Sequence, residues 1–252
     1  MNTAHIAELL DPFLCAPIVV PETSGLSESS HSDAPGPCHS EPAQAGEESA
    51  VLSSAQLQSI STYVDILVRW NARINLTAIR DPEDIVTRHF GESLFAARHL
   101  FPAPSSVSSV SSVVKAFDSV ADLGSGAGFP GLPIKLWSPH LSVTLIESNH
   151  KKAAFLHEVT RALTLTDVNI QNARAETLTA TFDVVTLRAV EHFAAILPTA
   201  AALVAPAGRL ALLISAAQQD QARSTLPHLT WSNPAPVPHS RSRILLVARR
   251  PQ

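Results

Sequence analysis

A glycine-rich stretch with the spacing of a ligand-binding loop directly follows a short apolar run. Residues 122–131 read Asp-Leu-Gly-Ser-Gly-Ala-Gly-Phe-Pro-Gly, after a predicted strand over Ser119–Leu123. Glycines let the backbone turn tightly and approach a ligand closely, although a tight strand-to-helix turn alone is the alternative. Ligands of open α/β sheets bind at the carboxyl ends of strands. We therefore predict a cofactor site whose loop residues are Asp122, Gly124, Ser125, Gly126 and Gly128.

The residues within and after this loop indicate the class of cofactor. Gly126, Gly128 and Gly131 match the dinucleotide pattern G-x-G-x-x-G, so a nicotinamide cofactor has to be considered. Pro130 and Pro133, however, have no N–H to offer a pyrophosphate, and neither a lysine nor an arginine accompanies them. A cofactor with an amino acid end, a nucleoside end and no phosphate fits better. S-adenosylmethionine is such a molecule.

Polar residues follow the next three predicted strands. Glu147 ends the second strand, where a carboxylate can accept both ribose hydroxyls. Ala175 and Glu176 follow the third strand, where an adenine edge would be read, and Arg188 follows the fourth. An exposed acid at a strand end and a surface ion pair are the alternatives for Glu147 and Arg188. Their place beside the glycine loop favours cofactor binding.

The absence of several motifs narrows the reaction. The fourth strand ends in Leu187-Arg188-Ala189-Val190 rather than the Asn/Asp-Pro-Pro-aromatic turn used to methylate adenine amines. The only cysteines, Cys15 and Cys38, lie in the acidic N-terminal stretch, which excludes a cysteine nucleophile, a disulfide framework and a cysteine-built zinc site; no metal is predicted. The four lysines are poorly placed for ribose methylation. A ring nitrogen that needs no deprotonation remains, such as guanine N7.

Strands and helices alternate from residue 117 onward. The predicted strands are Ser119–Leu123, Val143–Glu147, Asn169–Gln171, Asp183–Leu187, Leu210–Ser215 and Ile244–Val247. The predicted helices are Pro133–Trp137, Lys151–Leu163 and Phe193–Leu203. Near-continuous apolar strands alternating with helices indicate a mostly parallel sheet covered on both faces. The fold class is therefore α/β and Rossmann-like, and with the predicted S-adenosylmethionine site we interpret residues 117–252 as a methyltransferase domain.

The N-terminal half differs in composition. Residues 1–14 have the apolar spacing of a short helix, and residues 15–50 are an acidic stretch that we expect to be a disordered insertion. Residues 51–102 predict a helical segment, one helix from Leu52 to a turn over Asn71–Thr77 and a second from Asp81 to about Leu100. Residues 103–116 form a Ser/Val-rich linker.

The net charge of −4 is unevenly distributed along the 252 residues. Residues 1–50 contain eight acids and no lysine or arginine, so residues 51–252 carry +4. Of the 18 basic residues 14 are arginines, which suit contacts with RNA phosphates and bases. No apolar run reaches membrane-spanning length and no leader peptide is evident, so we expect a soluble, cytoplasmic monomer.

Three motifs together resemble one known family. They are Trp70-Asn71-Ala72-Arg73-Ile74-Asn75-Leu76-Thr77, then Arg88-His89-Phe90-Gly91-Glu92-Ser93-Leu94, and then the loop of residues 122–131. Over residues 51–250 the chain resembles the bacterial 16S rRNA guanine-N7 methyltransferases, also called glucose-inhibited division protein B. The resemblance implies S-adenosylmethionine as cofactor, a guanine of 16S rRNA or of the small ribosomal subunit as substrate, and a cytoplasmic location.

The resemblance also assigns residues. The implied cofactor contacts are Gly124, Phe129, Ala175, Glu176 and Arg188. The residues implied at the RNA face are Asn75, Arg88, Arg174 and Arg188. No catalytic residue is assigned firmly; Arg88 and His89 are candidates, and helix packing is the alternative for His89. Trp70 is expected in the core.

Two positions depart from the family pattern. The chain has Leu213-Ile214-Ser215 where the family has Leu-Lys-Gly, and Glu92 where it has aspartate. The Ile214 departure keeps open a ribosome-associated binder without activity. Two further alternatives remain: a small-molecule methyltransferase with the same cofactor site and an NAD-dependent reductase.

Overall fold

Nearly continuous burial along the central strands shows a sheet with two covered faces. The computed structural model describes residues 1–16, 52–102, 119–189 and 192–252. The parallel strands are β1 (Ser119–Leu123), β2 (Ser142–Ile146), β3 (Val168–Gln171), β4 (Phe182–Arg188) and β5 (Val204–Ser215). Two short strands, β6 (Thr230–Trp231) and β7 (Ala235–Pro236), pair with the antiparallel β8 (Arg243–Arg249). The expected acidic insertion, apart from Cys15 and Ala16, and the linker over 103–116 lie outside the described residues.

The order of the strands creates one crevice. The sheet runs β3-β2-β1-β4-β5-β8-β6, so the chain reverses direction across the sheet between β1 and β4. Connections from β1 and β4 leave to opposite sides at this point, which opens a cleft at the carboxyl edge of the strands. The predicted glycine loop and Arg188 both lie at this edge.

Helices cover the sheet on both faces. One face carries α1 (Thr3–Leu14), α2 (Ser54–Ile74), α3 (Pro82–Ile85), a π-helix (Val86–Gly91), α4 (Glu92–Leu100), α5 (Gly131–Trp137) and α6 (His150–Ala162). The other carries α7 (Phe193–Ala202) and α8 (Gln219–Thr225). Along β5, Ala211 and Leu213 pack towards the first group, whereas Leu210, Leu212 and Ile214 pack towards the second. This alternation follows from the two-residue period of a strand.

The N-terminal helices share their core with the sheet. Ile6, Tyr63 and Phe90 belong to the same buried cluster as Val120 and Val143. The predicted short helix at the N-terminus is present as α1. Packing is continuous between the helical segment over 51–102 and the sheet. The division of the chain into this segment and a domain over 117–252 therefore stays a prediction from sequence.

Three elements differ from the sequence predictions. Helix α2 continues through the start of the predicted turn to Ile74, because the buried Asn71 side chain accepts a hydrogen bond from the Thr77 N–H (2.9 Å). The predicted single helix from Asp81 to Leu100 contains the π-helix. Strand β5 begins at Val204 rather than Leu210, since its pairing with β4 includes an irregular step near the start.

Candidate functional site

The glycine loop turns at three positions that only glycine adopts without strain. Gly124, Gly126 and Gly128 have φ angles of 67°, 56° and 85°. The N–H groups of Gly124 and Ser125 both donate to the carbonyl of Ile146, at 2.9 and 3.1 Å, which ties the loop to the end of β2. Gly124 is exposed, so its backbone faces the crevice. A side chain at Gly126 would meet only the Gly124 carbonyl, at 3.7 Å, so the loop leaves room for a ligand.

Asp122 supports this loop from below. Its carboxylate is completely buried and accepts hydrogen bonds from the Thr186 hydroxyl (2.8 Å) and the Gly131 N–H (3.1 Å). Burial raises the pKa of Asp122 from 3.8 to about 6, although the bonds from Thr186, Gly131 and Ser125 lower it in part. The prediction of Asp122 as a cofactor contact needs correction for its side chain, which has no surface facing the crevice.

The start of helix α5 has no N–H free for a phosphate. The Gly131 N–H donates to Asp122, the Leu132 N–H donates to the Gly128 carbonyl (2.9 Å), and Pro133 has none. The site is therefore suited to a cofactor without phosphates, as the prolines predicted.

Glu147 lies directly beside the loop. Its residue is 6% exposed, and its two oxygens accept hydrogen bonds from the N–H groups of Gly126 (2.9 Å) and Asn149 (2.7 Å). Each carboxylate oxygen can accept a second bond, so ribose hydroxyls have acceptors at this position. Glu147 follows β2 directly rather than ending it.

The predicted adenine-reading residues follow β3. Ala175 and Glu176 open a short 3₁₀ turn, Ala175 buried and Glu176 exposed. Arg174, one residue earlier, is also exposed. The Asn172 side chain donates to the Glu147 carbonyl (2.8 Å), which joins this turn to the end of β2.

A largely buried aromatic cluster packs against Phe129 of the loop. The Phe129 ring stacks with Tyr63 (centroids 5.4 Å apart, 8° between planes) and with His89 (4.8 Å, 20°). Phe90 packs edge-on against Phe129 at 5.0 Å. The Tyr63 hydroxyl donates to the Ala127 carbonyl at 2.5 Å, so α2 holds the loop directly. Sequence reasoning missed Tyr63; its signal is that it is the only tyrosine of the chain, on the buried face of α2.

Arg188 is buried rather than free. Its side chain is 7% exposed, and Nη2 donates to the Glu92 carboxylate (2.9 Å) and to the Arg88 carbonyl (2.6 Å). The guanidinium carbon lies 6.0 Å from the Phe129 ring centre. The predicted RNA-facing role of Arg188 needs correction, because its charge is already paired within the protein. Its position beside Phe129 remains at the crevice.

His89 lies in the π-helix, and its surroundings disfavour the protonated imidazole. Its Nε2 is 2.8 Å from the Thr77 hydroxyl, and its Nδ1 is buried with no hydrogen-bond partner among the described residues. Burial, together with Arg188, Arg88 and Arg243, lowers the pKa of His89 to about 3. The imidazole is therefore neutral at neutral pH. Packing against Phe129 agrees with the helix-packing alternative.

The other predicted RNA-facing residues are accessible. Asn75 ends α2 with a φ of 49°, and its side-chain oxygen accepts from the exposed Arg80 (3.2 Å). The Arg88 side chain is exposed on the π-helix. Ile214, which replaces the family lysine, is buried on β5 and packs in the core. Trp70 packs edge-on against Phe155 at 5.8 Å.

Within residues 1–16, 52–102, 119–189 and 192–252, no group of three or more His, Cys, Asp or Glu side chains could hold a metal ion. No helix in the same ranges is both long enough and apolar enough to cross a membrane.

Comparison with known sequences identifies relatives over most of the chain. Residues 56–233 match the model of the family described as rRNA small subunit methyltransferase G. The ribosomal RNA small subunit methyltransferase G of Listeria monocytogenes serotype 4b (strain CLIP80459) is 36% identical over 185 residues, which cover 71% of this chain and 72% of that protein. The protein of the same name from Roseiflexus sp. (strain RS-1) is 45% identical over 149 residues, 57% of this chain and 58% of that one.

Comparison with solved structures shows the fold. The crystal structure of a ribosomal protein L11 methylase from Lactobacillus delbrueckii subsp. bulgaricus superposes with a TM-score of 0.52 at 13% identity, covering 65% of this chain and 79% of that one. The predicted class I methyltransferase fold is confirmed.

Proposed function

Because this chain belongs to the rRNA small subunit methyltransferase G family, we propose that it transfers a methyl group from S-adenosylmethionine to N7 of a guanine in 16S rRNA. The observation that carries the proposal is the loop of residues 124–128. It leaves space for a ligand, and the helix after it has no free N–H group for a phosphate. The substrate is the RNA or the assembled small subunit, and the chain acts as a monomer in the cytoplasm, where ribosomes are.

The residues present fit this cofactor. The exposed Gly124 backbone and the space beside Gly126 take the amino acid end, and Glu147 accepts the ribose hydroxyls. Ala175 and Glu176 lie where the adenine edge is read, and Phe129 packs at the wall of the crevice. When bound, S-adenosylmethionine would supply a methyl group on a positively charged sulfur. The lone pair of guanine N7 would bond to the methyl carbon, and the sulfur would leave as a neutral thioether with the electrons of the broken C–S bond. N7 has no proton to lose in this step.

The protein therefore acts by positioning and not by proton transfer. The neutral His89 and the paired Arg188 provide no base at the crevice wall. Their contacts with Phe129 fix the wall against which the purine and the methyl group are aligned. Alignment of nucleophile, methyl carbon and sulfur is the main requirement of this displacement.

Incorporation of labelled methyl groups tests this function. We expect the purified chain to transfer label from S-adenosylmethionine to small-subunit rRNA isolated from cells that lack the protein. Gly124→Val should abolish cofactor binding, because Gly124 has a φ of 67° that valine does not adopt. Ser142→Val, at the exposed start of β2 on the opposite edge of the sheet, is the matched control.

Two alternative functions give different results in the same assays. A small-molecule methyltransferase would bind the cofactor and leave the RNA unlabelled. An NAD-dependent reductase would bind NADH in a titration and ignore S-adenosylmethionine. Cofactor binding retained by Gly124→Val would contradict the site assignment.

A further inference from the structure

A second cleft opens on the same edge of the sheet as the cofactor crevice. A cavity of about 270 Å³ lies between the π-helix and the turn that precedes β8. Arg243, which lines it, pairs in register with Ser215 at the carboxyl end of β5. The cleft is therefore on the side of the molecule where a macromolecular substrate meets the cofactor.

Two arginine side chains line the cleft without forming an ion pair to any described residue. Arg88 reaches it from the π-helix and Arg243 from the start of β8. In the described part of the chain, neither guanidinium has an acidic partner within 4 Å. His239 and the hydroxyl groups of Ser240 and Ser242 complete this wall. Guanidinium and hydroxyl groups together are typical donors to a phosphate.

The acidic residues of the cleft do not cancel this charge. Glu92 lines the cavity, but its carboxylate is neutralised by Arg188 at 2.9 Å. Asp84 is exposed and lies four residues before Arg88 on the same helical segment. Its carboxylate is an acceptor for the amino groups of a base. The cleft thus offers donors for a phosphate and an acceptor for a base.

We propose that this cleft binds one nucleotide of the RNA strand next to the methylated guanine, with its phosphate between Arg88 and Arg243 and its base against His239. The proposal rests on the proposed function and adds a site to it. The cavity is smaller than the ~300–1,000 Å³ pockets that take whole drug-sized ligands. That size suits a single nucleotide of a longer chain.

The target guanine itself belongs to the neighbouring crevice. The Arg188 side chain stands between the two sites, because it contacts Phe129 on one side and Glu92 and the Arg88 carbonyl on the other. A base in the cleft is separated from the glycine loop by this buried ion pair. The cleft therefore sets which strand segment enters the crevice.

The salt dependence of RNA binding tests the proposal. Binding of small-subunit rRNA, isolated from cells lacking the protein, is measured without methyl transfer at several salt concentrations. Arg243→Gln should weaken binding roughly three- to tenfold and reduce the slope of log affinity against log salt by about 1. Its affinity for S-adenosylmethionine should stay unchanged. Arg249→Gln, at the other end of β8, is the matched control and should bind RNA like the wild type.

Because Arg243 is half-buried, its replacement can also affect folding, so a second variant changes an exposed residue instead. Ser242→Glu places an acid on the exposed lining of the cleft and should also weaken RNA binding. Wild-type affinity and salt slope in Ser242→Glu, or in a folded Arg243→Gln, would overturn the cleft assignment. A wild-type protein that binds RNA through the cleft but transfers no methyl group would instead overturn the proposed function. Absence of RNA binding by the wild type would overturn both.

Discussion

The buried carboxyl group of Asp122 lies directly beneath the glycine loop and joins it to two neighbouring elements. It accepts hydrogen bonds from Thr186 on β4 and from the first residue of α5. The conformation of the loop therefore depends on a side chain that is buried and does not face the crevice. This arrangement explains why an acid at the end of β1 belongs with the cofactor site even though it is fully covered.

Asp122→Asn should change how stability depends on pH. Burial raises the pKa of Asp122 from 3.8 to about 6, so the folded protein retains this proton to a higher pH than the unfolded chain. Stability is therefore lost as pH rises from about 4 to 6, by about 3 kcal/mol from this group. Between pH 4.5 and 7.5, urea unfolding should show about 2 kcal/mol of this loss in the wild type, because part of it occurs below pH 4.5, and Asp122→Asn should lack this contribution.

The exposed Asp220→Asn on α8 is the control for this experiment and should keep the wild-type pH dependence. Equal pH dependence of unfolding in Asp122→Asn and the wild type would show that the carboxyl group has no elevated pKa.

Residues of the site differ in how well sequence could predict them. The glycines and Glu147 could be predicted, because their roles follow from the local backbone and the order of the strands. The partners of Asp122 and Arg188 could not. Thr186 and Glu92 lie 64 and 96 residues away along the chain, so tertiary packing alone decides that these charges are buried.

The π-helix is the element that connects the N-terminal helices to the site. It directs His89 onto Phe129, presents the Arg88 carbonyl to Arg188 and brings Gly91 against the ring of Phe13 on α1. Sequence predicted an uninterrupted helix here, because helical periodicity does not distinguish one wide turn from regular α-helical turns. π-helices of this kind occur frequently at functional sites.

Gly91→Ala should destabilise the protein by loosening the contact between α1 and the π-helix. A Cβ at Gly91 would lie 2.6–2.8 Å from three ring carbons of Phe13, closer than packing allows. We expect a loss of about 1–3 kcal/mol in the free energy of unfolding, measured with denaturant. In a Phe13→Ala background the same substitution should cost much less, and an equal cost in both backgrounds would argue against this contact.

Helix α2 supports the loop through a single hydroxyl group. Tyr63→Phe keeps the stacking on Phe129 but leaves the Ala127 carbonyl without its donor. We expect a loss of about 1–3 kcal/mol in stability and weaker cofactor binding in calorimetry, since the loop is less fixed. Thr62→Val removes a neighbouring hydroxyl group that bonds only within α2 and should leave cofactor binding unchanged. If Tyr63→Phe also binds the cofactor with unchanged affinity, the hydroxyl group of Tyr63 does not contribute to the cofactor site.

At the scale of the molecule, composition alone points away from RNA. The net charge is −4, but residues 51–252, which include the sheet and its carboxyl edge, carry +4. Arginines at this edge fall into two classes that sequence could not separate. Arg188 is paired in the interior, whereas Arg88 and Arg243 line the second cleft. The alternating pattern of strands and helices did predict the fold, because it depends on local periodicity and on the rule that parallel strands need helical connections.

Mass mapping of 16S rRNA is the most direct test of methylation at N7 of a guanine. RNA from cells that lack the protein should miss one 7-methylguanine, which the wild-type chain restores and Gly124→Val does not. An unchanged set of 7-methylguanines in cells without the protein would contradict this function.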